Sequence, residues 1–131
     1  MRGFFGVVVP FLNLLGVRGQ SCEHGQSRLD LPARDDLNNH FGSVHGGAVA
    51  TLLDVAMASA GRSLHPQGVV TVSLTTNFLR AGVGALRAEG HVRQSGRSLL
   101  FCEGAVFDEQ GELVATGIGT FQVLRAPAAK G

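Results

Sequence analysis

The sequence predicts an α+β domain in which one long helix is wrapped by an antiparallel sheet of five to six strands, and three observations carry that expectation. Residues 44–62 form a Pro-free stretch rich in Ala and Leu, the one long helical pattern in the chain. Four strand-like segments, 69–79, 85–94, 98–108 and 113–124, follow it and are joined by turn-forming residues. Two shorter ones, 17–23 and 26–31, precede it and flank His24-Gly25 as a hairpin. At 131 residues, 44% hydrophobic and 16% charged, the chain has the size and composition of a single globular domain spanning 1–131.

Each element has a local reason. Pro10 suits a first helical turn and Gly16 a C-terminal stop, so a short helix is expected between them. Residues 1–9 before it and 125–131 at the far end read as flexible ends. Residues 32–43, with Pro32, Gly42 and several Asp and Asn, read as a loop. Pro66 and Gly68 turn the chain after the long helix, and Ser95-Gly96 and Glu109-Gln110-Gly111 supply hairpin turns. Within 85–94, Arg87, Glu89, His91 and Arg93 alternate with Leu86, Ala88, Gly90 and Val92, giving one wet and one dry face. Ala48, Val49, Leu52, Leu53, Val55, Ala56, Met57, Ala58 and Ala60 leave the long helix almost no polar face, which predicts a helix surrounded on all sides. Gly117 and Gly119 share one face of the last strand, a pattern that fits a close helix approach, a bulge, or plain tolerance of glycine in a strand.

Composition narrows the function classes. Eleven Lys and Arg against 10 Asp and Glu give a net charge of +1, without the basic excess that binds nucleic acid. Cys22 and Cys102 are the only cysteines and form no CxxC pair, which argues against a thiol-rich zinc site or a disulfide scaffold and fits a reducing compartment. No histidine pair has metal-ligand spacing, and His24, His40, His65 and His91 read as loop, turn or surface residues, so no metal is expected. The apolar run from Phe4 to Leu15 is interrupted by Pro10 and Asn13 and lacks a small-x-small cleavage site. No segment reaches the roughly 18 to 20 apolar residues of a membrane span, so the expectation is a cytoplasmic protein without membrane contact.

One residue stands apart. Between His45 and Arg62 the only ionisable group is Asp54, in the middle of the apolar helix. A carboxylate in an apolar setting costs several kcal/mol unless it is paired or hydrogen-bonded, so Asp54 is a candidate for catalysis, against the plainer reading of a wet stripe or a local backbone bond. Upstream, Phe41-Gly42-Ser43-Val44-His45-Gly46-Gly47 leads into the helix start, where backbone N–H groups and the positive end of the dipole face outward. The phosphate-loop pattern fails because Ala48 stands where a Lys belongs, and Gly82-Val83-Gly84 lacks the third glycine of a dinucleotide fingerprint. What remains is an oxyanion site at the amides of Gly46 or Gly47. Gly47 and Asp54 are seven residues apart, on one helix face but roughly 10 Å apart along the axis. Two antiparallel copies of the helix about a two-fold axis would bring Asp54 of one chain to Gly47 of the other. Asp35 or Asp36 is the single-chain alternative.

Asn39-x-x-Gly42-x-x-His45-Gly46-Gly47 followed by Ala-Thr-Leu-Leu-Asp54 resembles the hot-dog-fold acyl-CoA thioesterases of the phenylacetate-degradation (PaaI-like) type, and the likeness runs over about 11–124, including Gly96-Arg97-Ser98 and Val114-Ala115-Thr116-Gly117. The resemblance implies a hot-dog fold, dimers joined edge to edge, often a tetramer, and no cofactor beyond the coenzyme A of the substrate. By resemblance, Gly46 and Gly47 polarise the thioester carbonyl, and Asp54 of the partner chain acts as nucleophile or as base on water. Asn39 positions water or the thioester, His45 helps hold the site and the leaving sulfur, and Thr71 orients Asp54 or the water. Arg80, Arg97 and Ser98 fall near the coenzyme phosphates, although Ala81 stands where relatives often carry a Pro. A hydratase or dehydratase using His45 and Asp54, and a non-catalytic acyl-CoA-binding module, are the competing readings.

Overall fold

The computed structural model describes residues 2–125; Met1 and most of the expected C-terminal end, 126–131, lie outside the described residues. In chain order the elements are α1 (Pro10–Leu15), β1 (Arg18–Glu23), β2 (Gln26–Leu31), a 3₁₀ turn (Asp35–Leu37), α2 (Gly46–Leu64), β3 (Val69–Phe78), β4 (Leu86–Ser95), β5 (Leu99–Phe107) and β6 (Leu113–Val123). The strands form one six-stranded antiparallel sheet in the order β1-β2-β4-β5-β6-β3, with α2 packed along one face: the hot-dog fold. α1 sits where Pro10 and Gly16 place it, and Gly16 closes it at φ 81°, donating its N–H to Leu12 and Asn13 carbonyls.

α2 starts and stops two residues later than the apolar pattern suggests. The reason lies upstream, where Val44 is held in a bridge with Asn38 and donates its N–H to Gly82 O at 2.8 Å. With Val44 tied into extended structure, the helix begins only after His45.

What fixes the position of α2 is a row of glycines across the inner face of the sheet. Gly90 on β4 pairs with Gly104 on β5, which pairs with Gly117 on β6. A Cβ on Gly90 would stand 2.8 Å from Met57 N and closer still to the Ala56 carbonyl, so the helix backbone rests directly on β4. Leu53 and Met57, both fully buried, fill the trough above Gly104, Gly117 and Gly119. Close approach is therefore the role of Gly117 and Gly119. Ser27 Oγ on β2 donates to Ala56 O at 2.5 Å, which satisfies a buried hydroxyl at the same contact.

One expectation changes. The helix is not surrounded: Ala48, Val49, Leu52, Leu53, Ala56, Met57 and Ala60 are buried, but Thr51, Asp54, Val55, Ala58 and Arg62 form a partly exposed stripe, with Asp54 facing the edge strand β3. Alanine on that stripe adds apolar character to the sequence without needing burial. Residues 2–9, expected as a flexible end, also make defined contacts. Phe4 is 5% exposed, its backbone bridges Val7, and Arg2 N and O bond the side chain of Asn13.

Gly90→Ala is expected to destabilise the protein by about 2–3 kcal/mol, because backbone on both sides leaves no room to yield. Gly104→Ala, whose nearest neighbour is the flexible Met57 Cγ at 3.2 Å, should cost clearly less. Urea-unfolding midpoints test the ordering, and an unshifted midpoint for Gly90→Ala would show that the helix does not lie so close.

Candidate active site

The N-terminus of α2 is built by two loops that brace each other. His45 N–H donates to Leu37 O at 2.9 Å while Val44 N–H reaches Gly82 O, tying the turn before the helix to the chain on both sides. Asn39 locks the bend: its Oδ1 accepts from Phe41 N at 2.9 Å, Ser43 N at 3.2 Å and Ser43 Oγ at 3.2 Å. Only the NH₂ end of that side chain is left to face a ligand. Gly42, at φ 83°, makes the bend that returns the chain to His45.

His45 caps the helix with its own ring. Nδ1 accepts the Gly47 N–H at 2.8 Å, and a ring nitrogen that accepts carries no proton. The proton of the neutral imidazole therefore sits on Nε2, on an exposed ring at the helix mouth. This corrects the expectation of two bare amides. Gly47 N–H is occupied by His45, and Gly46 N–H has no acceptor among the described residues. Gly47 has a steric reason to be glycine as well, since a Cβ there would stand 3.0 Å from His45 Nδ1 and push the ring away. Facing Gly46 is Phe78, the last residue of β3, 3.6 Å from where a Cβ of Gly46 would be.

Asp54 is half-exposed where α2 meets the edge strand β3. Thr71, paired with the buried Phe121 and so on the inner face of the sheet, donates its hydroxyl to Asp54 Oδ1 at 2.7 Å. Oδ2 has no partner among the described residues. Within one chain Asp54 and Gly46 do not meet, because eight residues of helix separate them by about 12 Å along the axis.

The coenzyme-side candidates divide between the two ends of the sheet. Arg80 follows β3 near Gly46 and pairs with Glu112 at 3.6 Å. Arg97 and Ser98 lie exposed in the β4–β5 turn at the other end of α2, where His65 Nε2 and Ser95 Oγ are 2.9 Å apart. One feature escaped the sequence reading altogether: a cavity of about 260 Å³ opens beside His45 and Gly47, lined also by Phe11 and Leu15 of α1, Leu37, Ala48 and Thr51. α1 carries no pattern that ties it to the helix start. Among the described residues no group of three or more His, Cys, Asp or Glu is gathered to hold a metal ion, and no helix is long and apolar enough to cross a membrane.

A family model for the thioesterase superfamily matches residues 41–115. A relative from Halobacterium salinarum, named provisionally as an esterase, is 35% identical over 127 residues, covering 87% of this chain and 84% of its own. Among solved structures, a Bacillus halodurans protein crystallised with CoA superposes with a TM-score of 0.83 at 35% identity, covering 91% of this chain and 81% of that one. The Escherichia coli PaaI protein from the phenylacetic acid degradation operon superposes with a TM-score of 0.84 at 25% identity, covering 89% and 86%.

The cap geometry makes a prediction independent of any activity. In slightly alkaline buffer, long-range ¹⁵N spectra should show His45 with an unprotonated Nδ1 and a protonated Nε2, and Gly47→Ala should abolish that preference. A native ring protonated on Nδ1 would rule out the cap.

Proposed function

The chain belongs to the thioesterase superfamily and is a hydrolase of the ester and thioester class, and from that premise we propose that it cleaves acyl-CoA thioesters to a free carboxylic acid and coenzyme A. The observation that carries the reading is the carboxylate with one oxygen held by Thr71 and the other free. In the proposed reaction the thioester carbonyl oxygen accepts from Gly46 N–H, at the positive end of the α2 dipole, as charge develops on it. Asp54 Oδ2 either attacks the carbonyl carbon, giving an acyl-aspartyl anhydride that water hydrolyses after the thiol has left, or takes a proton from a water that attacks the carbon directly. The carbon–sulfur bond then breaks, and His45 Nε2–H stands ready to donate toward the leaving sulfur. Asn39 NH₂ is left to position water or the thioester. Coenzyme A is part of the substrate, and its phosphates fall to Arg80 of one chain and Arg97 and Ser98 of the other. The structure of the Bacillus halodurans relative with CoA supports a ligand of this chemical type.

The catalytic halves meet only between two chains, so the reading includes a homodimer. What supports it is β3, an edge strand of ten residues whose outer hydrogen-bonding side has no partner among the described residues and whose Val70 and Val72 are 45% and 58% exposed. Pairing of β3 with its symmetry mate places the Asp54–Thr71 pair of one subunit toward the Phe78–Gly46 end of the other. A tetramer formed from two such dimers is compatible with the same site. The alternative of a non-catalytic acyl-CoA-binding module leaves the oriented carboxylate without a use, and a hydratase would need His45 and Asp54 on opposite sides of one α–β carbon pair.

Free-thiol release from a panel of acyl-CoA esters tests the activity. Asp54→Asn should lose at least about a hundredfold in turnover while keeping its fold, and Thr71→Val about tenfold. Native-rate hydrolysis of every ester by Asp54→Asn would overturn the assignment. Sedimentation velocity tests the shared site separately: the smallest active species should be a dimer, and a monomer with full activity at high dilution contradicts it.

A further inference from the structure

We infer that the groove between α1 and the first turns of α2 is an acyl subsite, selecting an apolar acyl group of roughly eight or nine heavy atoms at most. The inference rests on the acyl-CoA reading above and adds to it which residues set the acyl size. The groove starts where the chemistry would take place, since His45 and Gly47 form one end of its lining. Two of its polar side chains are already engaged: Thr51 Oγ1 donates to Gly47 O at 2.9 Å, and Asp36 accepts from Arg34 Nη2 at 2.8 Å. Asn38 also lines it, and the rest of the surface, from Phe11, Leu15, Leu37 and Ala48, is apolar. Phe11 is 53% exposed on it, a large aromatic left uncovered by the fold.

One side of the groove is braced. Arg34 ties α1 to the 3₁₀ turn, donating from Nη1 to Leu14 O of α1 at 3.0 Å while Nη2 holds Asp36. The volume then sets the ligand size: at the ~30 Å³ that one water-sized heavy atom occupies, about 260 Å³ holds eight or nine such atoms. That admits an octanoyl or arylacetyl group and leaves the end of a longer chain in water. Each methylene that enters should tighten binding about fourfold, and each one beyond the groove should add nothing.

Stable S-alkyl thioethers of coenzyme A read the groove without turnover. Calorimetry should show affinity for the native protein rising about fourfold per methylene, on the order of a thousandfold in all, from S-ethyl- to S-octyl-CoA and staying flat from S-octyl to S-dodecyl. Thr51→Leu, which fills the floor from a half-exposed position, should weaken S-octyl-CoA about tenfold and leave S-ethyl-CoA unchanged. Phe11→Ala, which removes a wall without touching the core, should weaken S-octyl-CoA about fivefold with the same indifference to S-ethyl-CoA. An octyl-to-ethyl ratio identical in all three proteins, or an affinity that keeps climbing to S-dodecyl, overturns the subsite. If the ratios shift as expected but no ester is hydrolysed, the acyl-CoA hydrolysis reading falls and the subsite stands. Hydrolysis with unmoved ratios gives the reverse.

Discussion

The seating of α2 in the glycine row of the sheet is the contact on which the rest of the molecule depends. Gly90, Gly104 and Gly117 lie side by side on three neighbouring strands, and their missing side chains let the helix backbone rest on β4. Protein interiors are close-packed, so a helix held this near cannot shift without opening a void or a clash. That fixes two things of chemical interest at once. It sets where the first turn of α2, with its free Gly46 amide, emerges between the 37–45 and 79–85 loops, and it sets how near Asp54 comes to Thr71 on the edge strand.

The candidate machinery is divided along one helix, and the division follows from helix geometry. An electrophile-binding end and a carboxylate eight residues later cannot face one carbonyl when each residue adds ~1.5 Å of rise. In the proposed dimer a two-fold axis resolves this at no cost in sequence, because one surface serves twice and each subunit supplies the half the other lacks. The axis of that proposed dimer also accounts for the placement of the arginines. Arg80 lies at the Gly46 end and Arg97 at the opposite end, a separation that has no purpose for one ligand on one chain but suits a ligand spanning two.

Much of the fold was legible because it is written in local pattern. Alternation in 85–94, the Pro10 and Gly16 brackets and the turn residues at Ser95-Gly96 and Gly111 place every strand and both helices within two residues. Register was not legible. Gly117 and Gly119 stand out by spacing, but Gly90 and Gly104 belong to the same trough only because β4 and β5 pair in one register, and nothing local announces it. The exposed stripe of α2 was hidden for a related reason, since Ala58 counts as apolar in a pattern yet is content beside water. In the site, Asp54, His45 and the glycines were visible as types in an unusual setting. The capping bond of His45, which occupies one of the two amides, depends on side-chain torsions that no spacing encodes.

The environment of Asp54 bears on what a carboxylate there can do. A structural acid in a helix is ordinarily answered by a cation one turn away, and the pair then neutralises itself. Here Arg62, the nearest basic residue on α2, is turned to Phe5 O, and Arg80 is taken by Glu112. The partner that Asp54 has is a hydroxyl, which orients one oxygen without cancelling the charge and leaves the second oxygen open. Oriented, uncompensated and half in solvent is the state in which a carboxylate can meet an incoming carbonyl or a water, and the fold maintains it with a short polar side chain on an edge strand. Within the proposed dimer that edge is where the partner's helix start arrives, so the strand that joins the subunits also aims the acid.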